Sequence, residues 1–404
     1  MLPLGVIRAQ WRLLAFGWLM SFGSSLGQTY FISLFGGVMR AELDISHSAY
    51  GLCYMVGTFA SAAVLPWAGA LVDRRPLLRF SLAAIIGLAV SAALFAGVQG
   101  LASLALGFFA LRFFGQGLMM HAAITTMARY FGSVRGRAVS FATLGHVAGE
   151  AVLPIAVVAL LGLTHWRGVW LIAAVALLLL VGAAVPALLA RPPRTVEPDP
   201  VGSASAAKRS VPAVDATLGE VLRDPGLYLR LPVLLAPAAI STALIFHQVH
   251  VGVQKGWSLT LIAAGLSAYA LGALVMLLAS GFLVDRYGAR RIVPVCLAPF
   301  LLACLVLAAS STPASALVYF GLLGAGSGLT GIVLSAVWAE LYGVAHLGAI
   351  RAFAASIMVF ASGLGPAALG MLIDGGIHID AVAIGFAIYC VAASAFAALA
   401  RHGQ

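Results

Sequence analysis

Gly69-Ala-Leu-Val-Asp73-Arg74-Arg75 returns 212 residues later, counted from Asp73 to Asp285, as Gly281-Phe-Leu-Val-Asp285-Arg286-Tyr-Gly288-Ala-Arg290-Arg291. Each copy follows one apolar run and precedes another, so the turn between two helices carries the repeated charges. A chain that repeats itself at half its length is built from two related halves. Other echoes agree: Phe131-Gly132 answers to Tyr342-Gly343, and Pro154 to Pro366.

Composition sets the environment of these halves. Of 404 residues, 62% are hydrophobic and 9% charged, and the mean hydropathy is +1.05, whereas soluble proteins are about 25% charged. The chain reads as an integral membrane protein. A hydrocarbon core of about 30 Å needs roughly 20 apolar residues per helix, and twelve such runs are centred near Phe22, Ala60, Leu88, Gly115, Val152, Leu177, Leu244, Leu271, Val306, Gly326, Val359 and Phe386. The expected fold is all-α, with twelve transmembrane helices in two pseudo-symmetric six-helix bundles. Residues 1–190 form the first bundle, 191–224 a cytoplasmic linker rich in Pro, Ala, Ser and charge, and 225–404 the second bundle. The linker is too polar for a core of its own, apart from a short surface helix around Leu218 to Leu222.

Orientation follows from the basic residues. With both termini cytoplasmic, Arg40, Arg167 and Lys255 fall outside and Arg112 within the membrane, and the rest of the 23 Lys and Arg lie on the inner side. The net charge of +10 is thereby assigned to topology and to anionic inner-leaflet lipid, not to nucleic acid. The first apolar segment is too long for a signal peptide and is kept as a helix. Cys53, Cys296, Cys304 and Cys390 sit singly in apolar runs and read as buried thiols. No phosphate-cradling glycine loop is present, so the sequence calls for no nucleotide or other cofactor. The absence of a nucleophile–base or metal-ligand pattern argues against an enzyme.

Twelve helices in two halves, a long central loop, and Gly-x-x-x-Asp-Arg after the second and eighth helices together resemble the major facilitator superfamily over essentially the whole chain. That resemblance implies a secondary carrier working by alternating access between two parallel halves. The stretch Tyr130-Phe131-Gly132-Ser-Val-Arg135-Gly136-Arg137-Ala138 is similar, locally, to the corresponding loop of bacterial monocarboxylate and oxalate–formate carriers. The Gly–Pro pairing of the fifth and eleventh helices is similar to drug–proton exporters, except that Glu150 stands where those have proline.

The loop motif has its own physical logic. A carboxylate at a helix end meets the positive N-terminus of a neighbour and nearby Arg side chains. Gly69, Asp73 and Arg74, with Gly281, Asp285 and Arg286, are therefore expected to form a conformational latch. Arg351 is the expected partner of Asp73, and Arg137 of Asp285. The alternative is that these charges only orient the loops during insertion.

Substrate chemistry should lie where the halves differ. Arg112 maps to Gly324, His146 to Met358 and Glu150 to Ser362. Arg112 and Glu150 both fall near the bilayer midplane at 1.5 Å of rise per residue. His146 and Glu150 share one helix face at i, i+4, and Arg112 and Gln116 another. An ionised group in hydrocarbon costs a few kcal/mol or more, so an Arg112–Glu150 contact is expected, as a switch or as a bridge holding two helices. Arginine suits an oxyanion, and a glutamate in a low-dielectric cavity can take up a proton near neutrality. Arg112, Gln116, His146, Gln28, Ser24 and His247 are accordingly the expected substrate contacts, with Glu150 and His146 for proton coupling. Tyr30 is a weaker candidate. His247 and His250 flank Gln248 near an outer helix end, and two histidines make a poor metal site; hydrogen bonding there is the simpler reading. His121 lies on the opposite face from Arg112. Glu340, beside Trp338, is expected to pair with Arg351 or Arg286.

The reading that results is a proton-coupled transporter of a small, monocarboxylate-like anion, with membrane lipid, protons and that anion as its partners, acting as a monomer in a bacterial inner membrane. Two alternatives stay open: a proton-antiporting exporter of amphipathic compounds, and a receptor or assembly factor that moves nothing.

Overall fold

The computed structural model describes residues 4–191 and 215–400, so most of the expected linker lies outside the described residues. Eleven of the described helices are long and apolar enough to cross a membrane. They are α2 (His47–Gly69), α3 (Leu77–Phe95), α4 (Leu101–Tyr130), α5 (Arg135–Leu161) and α6 (Trp166–Leu188), then α7 (Pro225–Phe246), α8 (Leu259–Tyr287), α9 (Ala289–Ala309), α10 (Pro313–Tyr342), α11 (Leu347–Asp374) and α12 (Ile379–Leu399). The twelfth span is α1 (Leu4–Gly23), which continues in short pieces to Leu43. Side chains exposed along the helices are apolar, among them Leu94, Leu106, Leu179, Phe282 and Ile388, the surface that lipid requires.

The interruption of α1 has a local cause. After a 3₁₀ turn at Ser24–Gly27 the backbone turns extended at Gln28 (φ −92°, ψ 150°) before helix resumes at Thr29. A Cβ on Gly27 would lie 2.2 Å from the Leu111 carbonyl oxygen, and one on Gly115 would lie 2.7 Å from the Gly27 Cα. The backbones of α1 and α4 therefore touch, which only glycine allows. Opposite that contact α4 is π-helical over Arg112–Met119; such stretches are rare and concentrate at functional sites. The Gly145-x-x-x-Gly149 pair plays the same role for α5, where added Cβ atoms would meet the Trp18 carbonyl at 2.0 Å and Ser25 Oγ at 2.2 Å.

Among the described residues, 4–43 and 56–191 form one compact unit, and 44–55 with 215–400 form another. The first turns of α2 thus belong to the second unit. There the Asp374 carboxylate accepts from the backbone N–H of His47 (3.0 Å) and Ser48 (2.8 Å), an anion at a helix N-terminus.

The described end of the linker is stitched to its own unit. Asp215 accepts from the Val344 and Ala345 amides. The single turn Leu218–Val221 carries a capping box, with Thr217 and Glu220 satisfying each other's backbone donors. The Thr217 amide, donating to Glu220, and then the Thr217 hydroxyl hold that carboxyl below its usual range.

Candidate functional site

Three elements of the first unit bring the polar residues together. The broken stretch of α1 supplies Ser24, Ser25, Gln28, Thr29 and Tyr30; the π segment of α4 supplies Arg112; α5 supplies His146 and Glu150. Ser24, Gln28, Tyr30, Arg112 and Glu150 are all buried. Gln28 Nε2 donates to Ser24 Oγ at 3.4 Å, and Ser24 Oγ donates to the Ser21 carbonyl at 2.7 Å, so the i, i+4 pair is joined within α1. The Tyr30 and His146 rings lie 5.6 Å apart. The Tyr30 hydroxyl sits against Gly149, next to Glu150, whose carboxylate it senses electrostatically.

One expectation about this cluster needs correction. Arg112 extends toward the gap in α1, donating to the Gly27 carbonyl at 3.5 Å and to Thr29 Oγ1 at 3.4 Å. Glu150 makes no hydrogen bond or ion pair among the described residues, so the Arg112–Glu150 bridge is not formed. The extended backbone at Gln28 frees helical carbonyls that would otherwise be bonded, and the guanidinium answers them. Gln116, four residues on in the same π segment, is exposed while Arg112 is buried.

Some of the loop residues have partners within their own units. Asp73 pairs with Arg129 of its own unit, because α4 ends beside the α2–α3 turn. Arg74 and Arg137 are exposed and make no hydrogen bond or ion pair among the described residues. Asp285 is exposed, and the Arg286 guanidinium lies over the Tyr287 ring. Glu340, expected on Arg351 or Arg286, instead accepts from the amides of Ala289 (2.8 Å) and Arg290 (2.9 Å). It caps α9 directly after Gly288, whose φ of +78° favours glycine.

His247 belongs to the second unit and contacts the Pro366 carbonyl through Nε2 at 2.8 Å, the hydrogen-bonding role. His47 packs against His247 and His250, with ring centroids 5.6 and 4.3 Å away. Among the described residues no group of three or more His, Cys, Asp and Glu is arranged to hold a metal ion. The four cysteines are buried and unpaired with one another.

Sequence reading passed over Ser25 and Thr29, although the density of Ser and Gly in Ser21-Phe-Gly-Ser-Ser-Leu-Gly-Gln-Thr29 signals an interrupted helix. Arg351, expected in the latch, lines a cavity of about 400 Å³ within the second unit, beside hydroxyl side chains of α7 and α10.

The comparisons agree with this architecture. A bacterial homologue of the human lysosomal transporter Spinster, solved inward-facing and occupied, is similar over 98% of this chain and 96% of its own, with a TM-score of 0.69 and 16% identity. The nucleoside transporter NupG is similar over 96% of this chain and 98% of its own, with a TM-score of 0.71 and 16% identity. At that identity the likeness is one of fold. No curated protein matches the sequence. The family model of the Major Facilitator Superfamily matches residues 17–266 and 234–403. With its twelve-helix architecture and repeated loop motif, the chain belongs to the Major Facilitator Superfamily, a family of integral membrane transporters.

Proposed function

We propose that the protein is a secondary active transporter, working by alternating access, that couples the movement of a small organic anion to protons carried by Glu150. One observation carries this reading. Glu150 is a buried carboxyl in the middle of a 27-residue helix, without a hydrogen bond or ion pair among the described residues. Left ionised, such a group costs about 3 kcal/mol or more, and a proton removes the charge. A group of that kind weakens a static scaffold and is useful where a proton is to be taken up and released.

Arg112 supplies the anion side of the coupling. Its fork is engaged by the gap in α1, so an oxyanion gains it only when that gap rearranges. The repeated loops around Asp73 and Asp285 serve as the conformational latch. The distribution of Arg and Lys supports cytoplasmic termini in a bacterial inner membrane.

Reconstitution into liposomes tests the proposal. Uptake of small carboxylates driven by an imposed proton gradient is expected, and Glu150→Gln is expected to keep exchange while losing dependence on the gradient. Unchanged proton coupling in that variant rules the reading out. A cavity of about 490 Å³ in the first unit, lined by Trp18, Phe22, Leu153, Leu160 and Leu180, favours the second reading, export of amphipathic compounds against protons. Gradient-driven efflux of an amphipathic dye, with no carboxylate uptake, would decide for it.

A further inference from the structure

The cavity around Arg351 has the chemistry of a built binding site. Arg351 stands in the second turn of α11, exposed, and makes no hydrogen bond or ion pair among the described residues. No Asp or Glu lines the cavity with it. Trp338, buried on α10, likewise has no hydrogen bond from its indole N–H among the described residues. Both groups are donors only. An unbalanced cation on α11 and an unused N–H on α10 thus line one cavity and await an acceptor.

Several of the hydroxyls that line the same cavity on α7 and α10 are committed the other way. Tyr269 donates to Ser327 Oγ at 2.7 Å, which leaves Ser241 as the donor in its 3.3 Å contact with Tyr269. Ser327 donates to the Leu323 carbonyl, Thr330 to the Gly326 carbonyl and Ser335 to the Ile332 carbonyl. With their hydrogens turned back to helix carbonyls, Ser327, Thr330 and Ser335 present lone pairs to the cavity. The volume of about 400 Å³ falls in the range of small-molecule sites, roughly 300–1,000 Å³.

We propose that this cavity captures the transported solute, with Arg351 and the Trp338 N–H receiving its carboxylate and the Ser327–Thr330–Ser335 wall accepting from its hydroxyl groups. The substrate class is therefore a hydroxylated organic acid. An ammonium-bearing ligand fits less well, because no carboxylate is at hand to balance it. The inference rests on the transporter reading and adds the recognising residues to it. It also divides the labour between two arginines: Arg112 is held by α1, and Arg351 is the one open to an incoming anion.

The test uses the full-length protein, purified for binding and reconstituted for transport, with three probes of similar size. Gluconate carries charge and hydroxyls, hexanoate only the charge, and glucose only the hydroxyls. Gluconate is expected to raise the melting temperature most. Arg351→Ala is expected to weaken its binding by about tenfold or more, the loss of a charge-assisted contact, with Arg351→Lys in between. Because Arg351 is exposed, its replacement leaves the fold intact. Ser335→Ala provides a second probe, expected to narrow the preference for gluconate over hexanoate. Gluconate binding unchanged by Arg351→Ala, glucose binding as well as gluconate, or no binding of any probe overturns the proposal. Failure of the proton-coupling reading looks different: gluconate binding stays dependent on Arg351, but uptake ignores the pH gradient and Glu150→Gln changes nothing.

Discussion

The two units use equivalent positions of their fourth and tenth helices for different ends. In the first, Arg112 occupies α4 where that helix touches α1, and its side chain fills the gap in α1. In the second, the corresponding residue is Gly324, and a Cβ there would lie 2.0 Å from the Tyr269 carbonyl oxygen. Position 112 thus turns a guanidinium toward α1, whereas its counterpart serves a close contact of α10 with α8, and α7 and α10, the counterparts of α1 and α4, line a cavity. Likewise Glu150 answers to Ser362, which spends its hydroxyl on the Val359 carbonyl, and His146 answers to Met358, a wall of the Arg351 cavity. The difference teaches that the repeat preserved the helices and the loops while the first unit set Arg112 and Glu150 into its fourth and fifth helices and the second, whose buried Arg230 and Lys255 pair with Asp224 and Asp380, formed a hydroxyl-lined cavity.

The sharpest way to break this contrast is to remove the charge from the first unit. Glu150→Gln should lower gradient-driven uptake by about a hundredfold, the equivalent of roughly 3 kcal/mol, with exchange retained in the same vesicles. Next in size is the close helix contact of the second unit. Gly324→Ala should destabilise by about 1–3 kcal/mol through overpacking. Gly331→Ala, whose Cβ meets nothing within 4 Å, should hold or slightly raise the melting temperature in detergent, since alanine favours the helix. Equal effects would dissolve the proposed difference between the units.

Arg112→Lys sharpens the comparison from the other side. A point charge cannot serve the Gly27 carbonyl and Thr29 hydroxyl together, so a loss of about 1 kcal/mol is expected, read as a lowered melting temperature. Glu340→Gln should remove about 0.5 kcal/mol by weakening the cap on α9, with no change in gluconate binding. The smallest effect belongs to Glu220. Its folded carboxyl is held below the usual range, so its contribution is present above the unfolded value near 4.3 and fades as pH falls through the folded one. Wild type and Glu220→Gln should therefore melt alike in acid and diverge slightly at neutral pH.

Much of the fold was legible because it depends on periodic or repeated signals. Apolar runs of membrane length mark the spans, and Gly-x-x-x-Asp-Arg marks the equivalent turns. Gly145 and Gly149 announced the close approach of α5 to a neighbour. The partners of charged residues were less legible, since they depend on where helices deviate from ideal geometry. Arg112 was matched to Glu150 because ionised groups in hydrocarbon are expected to pair; the break in α1 at Gln28 offered it other acceptors. Glu340 was matched to a cation, whereas two amides of α9 lay nearer. Arg351 reads as a loop charge by position, and only the hydroxyls of α7 and α10, far apart in sequence, reveal the cavity beside it.

The π segment of α4 also sets the phase of everything that follows it. Arg112 and Arg129 are read on one helix, yet the additional residue between them decides which way the second points when the first is seated against α1. Deleting one residue between Phe113 and Leu118 would restore ordinary helix and turn the remainder of α4 by about 100°, one residue's step. Arg129 would then swing away from Asp73 while Arg112 kept its seat. The segment is a fixed angular offset written into the chain, by which the guanidinium buried within α4 and the arginine that meets the loop motif at its end are kept in register.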